Sequence, residues 1–475
     1  MLITIKFGGT SVGDADRIRS AAELVARVKN DGHRVVVITS AMSGVTNKLV
    51  ALVDQAAGPT APFGSRVAEY LRFTKTLEQD HVETARRAIR DPQLVENVAQ
   101  ALYTERHSLE RVLIGSHLLA ELTPIGYDFV VSEGERLCVP ILANCLRDLG
   151  VSAVGVGGDE CGITTDNNYG SARPNDERTR QGVRQALLPL LDSDKVPVVT
   201  GFYGRSDEGR IAVLGRGGSD YSATLVGCAL DSDEVWIMTD VDGVKTTDPR
   251  LVPHAHTISE MPYLIAAEMA MLGAKVLHAK SVQPAAKHGT RLRIASSFEP
   301  EKPGTWLVPL KPGGPPSVAA LTLVRRGGMV RLTSPGMGAE GNFTASLIAD
   351  LQRHNVDTLA SAAGLNGSSV LWLVGNLDLE RFLAIAKRHE SDGFQADVQR
   401  NVAVIGIVGA GVATAPGILA RVTHSFNQAG ARPLAVVHGA SPHSVVLALD
   451  DDEQPLAATL KLLHTELGLD RRQRA

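Results

Sequence analysis

Lys6 is a charged residue at the end of an otherwise apolar run, Leu2 to Phe7, and "GGTS" follows that run directly. The run reads as a strand, and the Ala/Ile/Leu spacing from Ala15 to Val28 reads as an amphipathic helix. A glycine turn between strand and helix leaves backbone N–H groups to point at an anion, with a helix N-terminus behind them. Ser11 or Asp14 is equally at home as a helix cap, which needs no ligand. Capping leaves Lys6 without an explanation. Phosphate cradle and tight turn both stand at this point, because short glycine motifs are common.

Further polar, glycine-marked turns follow apolar runs at Ser40–Thr46, Arg216–Asp220 and Thr239–Arg250, and "SEGER" at 132–136 adds another. Each alone is compatible with a plain loop. Together, at the edge where an α/β sheet places its ligands, they point to one site. "GRGGSD" is the most informative. Its glycine pair permits close approach to a ligand, Ser219 and Asp220 can cap the next helix, and Arg216 offers a fork for a carboxylate. "TDVDGVKTTDPR" divides into two β-turns on the bland view, but its polar density suits an adenine and ribose pocket.

The elements that must hold these turns alternate strand and helix over residues 1–298, which predicts an α/β fold with a mostly parallel sheet covered on both faces. Residues 65–122 read as an inserted helical hairpin, and "FVVSEGERLCVPILANCLRDLG" as a strand followed by a helix. A Pro/Gly-rich linker spans 299–318. Beyond it the chain repeats itself at an offset of about 75 residues, the size of a small βαββαβ unit. The domains expected are 1–298, 319–400 and 401–475, with strand 317–325 completing the sheet of the last.

The chain has 475 residues, too many for one core. Its 48 basic and 52 acidic residues leave a net charge of −4, which recommends neither a nucleic-acid nor a membrane partner. Cys138, Cys145, Cys161 and Cys228 show no CxxC pairing and read as reduced core residues. With no basic segment leading into an apolar one, and no run of membrane-spanning length, the expectation is a soluble cytoplasmic protein.

In order along the chain, "KFGGTSV", "SAMSGVTNKL", "SEGERL", "GRGGSDYSA", "TDVDGVKTTDPR" and "GAKVLH" resemble the aspartokinases of the amino acid kinase superfamily. The linker and doubled tail resemble that family's paired ACT domains. The resemblance covers essentially the whole chain and implies ATP- and Mg²⁺-dependent phosphorylation of the side-chain carboxylate of L-aspartate. It implies that Lys6, Gly8, Gly9 and Ser11 cradle the transferring phosphate, and that Ser40, Thr46, Glu135, Arg216 and Ser219 hold aspartate. Thr239, Asp240, Lys245, Arg250, Lys275 and Val276 would line the nucleotide site, with Asp220 the organising acid. No metal ligand is singled out. In the first repeat Met337 and Asp357 are the candidate regulatory residues, for lysine or threonine as effector. The tail implies a homo-oligomer.

The chemistry supports these roles independently. An aspartate carboxylate is already ionised near pH 7, so its attack on phosphorus needs no general base. What it needs is charge neutralisation, which a lysine, backbone N–H groups and Mg²⁺ supply. Arg216 suits the α-carboxylate and Glu135 the α-ammonium.

Departures from the family pattern are Glu133, where an aromatic is usual, and Lys245, where tyrosine is usual. His438 and Pro442 replace polar residues in the tail. Three other readings are weaker. "GAGVATAPG" (409–417) lacks the acid of a dinucleotide site on its next strand, so the repeat reading is preferred. His254 and His256 lack a third ligand and read as exposed loop residues. The basic "RRQRA" end reads as a disordered tail. Two alternative functions remain open: a kinase for another acceptor such as N-acetylglutamate, and a non-catalytic amino-acid sensor. An acetylated amine would gain nothing from Glu135, and retention of Lys6, Arg216 and Asp220 argues against a decayed kinase.

Overall fold

A computed structural model describes residues 1–56, 63–274, 277–311, 313–333, 343–364, 369–389 and 395–470. They form two compact units: Met1–Gly243 with Lys280–Val308, and Val244–Ala279 with Pro309–Ala475. Compactness thus groups the stretch after Gly243 with the C-terminal repeats.

The first unit opens with Leu2–Phe7 (β1), Ala15–Asn30 (α1), Arg34–Thr39 (β2), Val45–Ala56 (α2), Phe63–Ala88 (α3), Pro92–Leu119 (α4) and Pro124–Asp148 (α5). It continues through Ala153–Val156 (β3), Thr164–Thr165 (β4), Asp176–Asp192 (α6), Val196–Thr200 (β5) and Tyr203–Ser206 (β6). Ile211–Val213 (β7), Gly218–Ala229 (α7) and Glu234–Thr239 (β8) follow. After Glu260–Pro262 (β9) and Tyr263–Met271 (α8) of the second unit come Ala279–His288 (α9), Arg291–Ser296 (β10) and Thr305–Val308 (β11). Strands β3, β5, β2, β1, β8 and β10 lie parallel in that order, and β11 closes antiparallel on β10. A small sheet of β4, β6 and β7 stands apart.

The central strands are near-continuous apolar runs because helices cover both faces. Every residue of β1 is buried, Lys6 included. Register sets Phe7 beside Thr39 and Met238, so the turns after β1, β2 and β8 open on one edge, where an α/β sheet binds ligands. The expected hairpin is α3 and α4, joined through Arg106 to Glu78 (2.6 Å) and Thr74 to Glu110 (2.8 Å).

One expected element is different. The "SEGER" stretch is no strand end but the middle of α5, capped by the Thr123 hydroxyl on the Gly126 N–H (3.1 Å), with Pro124 in the first turn. Its apolar run looks strand-like because α5 is buried on nearly all sides from Val130 to Leu146, which erases the polar face that marks a helix. Cys138 and Cys145 lie on this helix, and all four cysteines are buried and free.

The second unit holds two repeats. Ala320–Thr333 (β12), Phe343–Arg353 (α10), Ala360–Ala363 (β13), Ser369–Val374 (β14) and Leu379–Arg388 (α11) make the first. Gln395–Val408 (β15), Ile418–Ala429 (α12), Pro433–Ser441 (β16), Ser444–Asp450 (β17) and Glu453–Glu466 (α13) make the second. The sheet order is β13–β14–β12–β15–β17–β16 with every neighbour antiparallel. The long strands β12 and β15 each serve both halves. Register shifts between Val324 and Gly328 separate the pairing of Ala320–Val324 with Val404–Val408 from that of Gly328–Thr333 with Gln395–Arg400. Leu347, Trp372 and Phe382 fill one core, and Ile405, Phe426 and Leu460 the other. The antiparallel partners of β15 exclude a dinucleotide-type βαβ unit at "GAGVATAPG". Among the described residues no helix is long and apolar enough to cross a membrane.

Candidate active site

Lys6 stands on β1, and its Nζ lies 2.5 Å from Asp220 Oδ1. Asp220 belongs to the first turn of α7, whose N-cap is Gly217 in the left-handed conformation (φ 70°). Ser219 and Asp220 therefore sit inside the helix and are not its cap. Enclosing two charges costs desolvation energy, which their mutual attraction offsets. Lys6 retains a 7% exposed face. A Cβ at Gly8 would come within 3.4 Å of Nζ, so the glycine leaves the ammonium uncovered.

The "GGTS" turn is a short 3-10 segment, Gly9–Val12, and part of its hydrogen-bonding capacity is already committed. The Gly8 N–H donates to Met238 O (3.1 Å) and the Ser11 N–H to Gly8 O (2.8 Å). Ser11 is buried, and its hydroxyl is 2.7 Å from that of Ser297. Ser297 in turn donates its Oγ–H (3.1 Å) and its N–H (2.8 Å) to Thr239 O. The expected donation from Gly8 N–H and Ser11 to phosphate is therefore not available in this arrangement. These two residues pin the turn to β8, and Gly9 and Thr10 form its outer part. Asp14 is the N-cap of α1, accepting from Arg17 N–H (3.0 Å).

Glu135 is 3% exposed. Burial pushes its carboxyl up to about 8, against the opposing pull of the Ala41 N–H, its own N–H, the Lys6 charge and the Ser219 hydroxyl. Its Oε2 has no hydrogen-bond partner among the described residues. Helix α5 comes so close to the turn after β2 that a Cβ at Gly134 would lie 2.6 Å from Ala41 Cβ. That glycine lets Glu135 share its surroundings with Lys6 and Ser219. Next to it, Glu133 is fully enclosed. Burial raises its carboxyl well above the usual range, while Arg136, 3.3 Å away and also paired with Glu105 (2.5 Å), pulls it down.

Ser40 follows β2 and donates its N–H to Phe7 O (3.1 Å), while Thr46 is half-buried in the first turn of α2. Arg216 is exposed in the loop from β7 to α7. Thr239 ends β8, its hydroxyl donating to Asp240 Oδ1 (3.1 Å), and Asp240 is exposed.

Lys245 and Arg250 belong to the second unit. Lys245 Nζ donates to Thr257 Oγ1 (3.2 Å), and Arg250 pairs through two nitrogens with Asp248. In the same unit Asp357 is exposed between α10 and β13. Lys275, Val276 and Met337 lie outside the described residues. His254 is exposed and His256 half-buried, and no metal-binding group of three side chains occurs among the described residues.

The structure thus gathers Lys6, Glu135, Ser219 and Asp220 from β1, α5 and α7. Ser297 and the Ala41 peptide were not anticipated. Ser297 lies in an unremarkable "ASSF" run and acts through the two strand ends it joins.

Residues 1–296 match the amino acid kinase family. The lysine-sensitive aspartokinase 3 of Escherichia coli is 31% identical over 98% of this chain and 99% of its own. An aspartokinase of Thermus thermophilus is 28% identical over 99% of each. Among solved structures, E. coli aspartokinase III with aspartate and ADP superposes with a TM-score of 0.81 at 28% identity, covering 98% of this chain and all of that one. The same enzyme with lysine and aspartate gives 0.79. A lysine on the central strand, an acid on the facing helix, a family match over residues 1–296 and a 31% identical aspartokinase along 98% of the chain leave one assignment: the chain belongs to the amino acid kinase family, among its aspartokinases.

Proposed function

We propose that the Lys6 end of the parallel sheet transfers the γ-phosphoryl group of ATP to the side-chain carboxylate of L-aspartate, giving 4-phospho-L-aspartate. The observation that carries this reading is the Lys6–Asp220 pair at 2.5 Å beside the buried Glu135.

In such a transfer two anions must meet, and charge spreads over the phosphoryl oxygens in the transition state. Lys6 neutralises that charge from a fixed position, because Asp220 and the buried strand hold its ammonium in place. The Gly9–Thr10 turn approaches the phosphate from the other side. Asp220 organises the lysine and takes no proton, since the attacking carboxylate is already ionised. Glu135 accepts the substrate ammonium on its unpartnered oxygen, and Arg216 forks onto the α-carboxylate. Ser40, Thr46 and Ser219 complete the aspartate contacts. Mg²⁺ bound with ATP would neutralise phosphate charge, and the protein would need to add only one or two carboxylates to hold it. Asp240, exposed beyond the end of β8, suits that place. Thr239, Lys245 and Arg250 are read as nucleotide contacts.

The repeats of the second unit are read as ACT-type regulatory domains, one built around β12–α10–β13–β14–α11 and the other around β15–α12–β16–β17–α13. The relatives named lysine-sensitive, or solved with lysine, favour feedback by an aspartate-derived amino acid. Asp357 is the residue offered to the effector ammonium.

Hydroxylamine trapping tests the reaction itself. With MgATP and L-aspartate the enzyme should yield the β-hydroxamate of aspartate in step with ADP. ADP without hydroxamate would mean ATP hydrolysis and would reject acyl phosphate formation.

A further inference from the structure

Asp128 is a fully buried acid that the proposed chemistry does not use. It lies on α5, about two helical turns before Glu135 and therefore on much the same face. Its Oδ2 accepts two backbone N–H groups from separate segments, Val213 at 2.8 Å and Gly170 at 3.0 Å. Oδ1 has no hydrogen-bond partner among the described residues. Burial pushes the carboxyl up to about 6, and the two N–H groups oppose that shift.

The two segments matter for where they lead. Val213 is the last residue of β7, and its carbonyl accepts the Ala172 N–H (2.8 Å), so Asp128 and this bond tie both segments to each other and to α5. The next residue, Leu214, donates its N–H to Phe202 O (2.8 Å). Gly215, Arg216 and Gly217 then form the loop that enters α7. Beside it, the Ser171 hydroxyl accepts from Lys280 Nζ (3.1 Å). One carboxylate thus anchors the peptide that launches Arg216 to the helix that carries Glu135.

We propose that Asp128 is a positioning residue for substrate choice: by clamping the Arg216 loop to α5 it fixes the α-carboxylate reader against the ammonium reader, and so sets the chain length that reaches Lys6. The inference rests on the reading of Arg216 and Glu135 as the groups that hold the amino-acid head. With that head fixed, aspartate places its side-chain carboxylate at one depth, and glutamate, longer by a methylene, overshoots. A loosened head would lower the affinity for aspartate and let glutamate adjust.

The test compares Asp128→Leu, which keeps the branched shape and removes the acceptor, with Asp128→Asn, which keeps an acceptor oxygen for both N–H groups and loses the charge. Kinetics with L-aspartate, L-glutamate and MgATP are measured beside thermal melting, with Arg216→Ala as a control. Asp128→Leu should raise the aspartate KM by ~10-fold or more and shift the aspartate-to-glutamate ratio of kcat/KM toward glutamate by a similar factor. The MgATP KM should stay within about twofold of the parent, since the proposed clamp acts on the amino-acid head alone. Asp128→Asn should move the same two quantities by about 3-fold, a neutral bond being weaker than a charge-assisted one. Should Asp128→Leu fail to fold, the Asn variant decides alone, and parental aspartate KM and selectivity in it overturn the inference. So does a fall in activity shared equally by both acceptors and MgATP, which a merely structural role would give. Arg216→Ala with a parental aspartate KM would instead overturn the underlying reading of Arg216, and the inference with it.

Discussion

In the first unit Lys6, Glu135, Glu133 and Asp128 are charged or ionisable groups held in the interior. In the second unit the pairs Arg400–Glu380 and Arg331–Asp397 stand at the surface, Asp357 is exposed, and the cores are built from Leu, Val, Ile, Trp and Phe. Interior charge costs several kcal/mol of desolvation per ion, whereas exposed pairs contribute about 0–1 kcal/mol. A fold keeps interior charge where fixed electrostatics are wanted, as for phosphoryl transfer. Among the described residues the second unit encloses fewer such groups, Asp378, His389 and His464, and suits a role carried by packing and docking. A substitution should therefore act on chemistry in the first unit and on coupling in the second.

The largest effect is expected at Lys6. Lys6→Ala should lower kcat by roughly 10²-fold or more, as for loss of a preorganised electrostatic contact, while the aspartate KM changes far less. A variant with near-parental kcat would remove Lys6 from the mechanism. Next is Glu135→Gln, which should weaken aspartate binding by about 2–4 kcal/mol, as when one partner of a buried charge pair is lost. Calorimetry showing parental aspartate affinity and a loss confined to ATP would overturn that role.

How much of this contrast was legible in the sequence depended on how each residue stands out from its neighbours. Lys6 was legible because a charge in an apolar strand breaks the pattern. The turns after β1, β2 and β8 were legible from glycine and hydroxyl residues after apolar runs. The helical hairpin and the internal repeat showed through charged periodicity and a regular offset. Glu135 was found by resemblance, but its setting was misread, because α5 is buried on nearly all sides from Val130 to Leu146 and its Phe129–Val131 run mimics a strand. Ser11 was expected on the phosphate, yet its partner Ser297 is remote in the chain and visible only after folding. Asp128 was invisible for the same reason, since nothing local marks a carboxylate whose partners are backbone N–H groups at Gly170 and Val213.

A smaller effect is expected in the second unit. If an effector couples to the active site by 1–3 kcal/mol, saturating lysine or threonine should shift aspartate affinity roughly 5- to 150-fold. Asp357→Ala should abolish that shift and leave uninhibited activity and melting temperature nearly unchanged, because the side chain is exposed. If neither amino acid, alone or together, binds or alters activity, the second unit is an assembly module.

The smallest effect concerns stability against pH. Glu135 and Glu133 are held up to about 8 and Asp128 to about 6, so between their ordinary range and those values the folded chain keeps protons that the unfolded chain has released. The stabilisation is therefore full below the ordinary carboxyl range, declines through about pH 6 for Asp128, and is lost as pH rises toward 8 for the two glutamates. The ligand-free enzyme should melt a few degrees lower at pH 8 than at pH 6, and Glu133→Gln should flatten that slope. A slope unchanged in Glu133→Gln would show that this carboxyl is already ionised in the folded state.

The most direct test of the central claim is a coupled ADP-release assay comparing L-aspartate, L-glutamate and N-acetylglutamate as acceptors. A site that clamps a free ammonium on Glu135 and an α-carboxylate on Arg216 predicts turnover with L-aspartate, weak turnover with L-glutamate and none with the acetylated amine. Equal or faster turnover with N-acetylglutamate would contradict the account, and so would the absence of ADP release with L-aspartate.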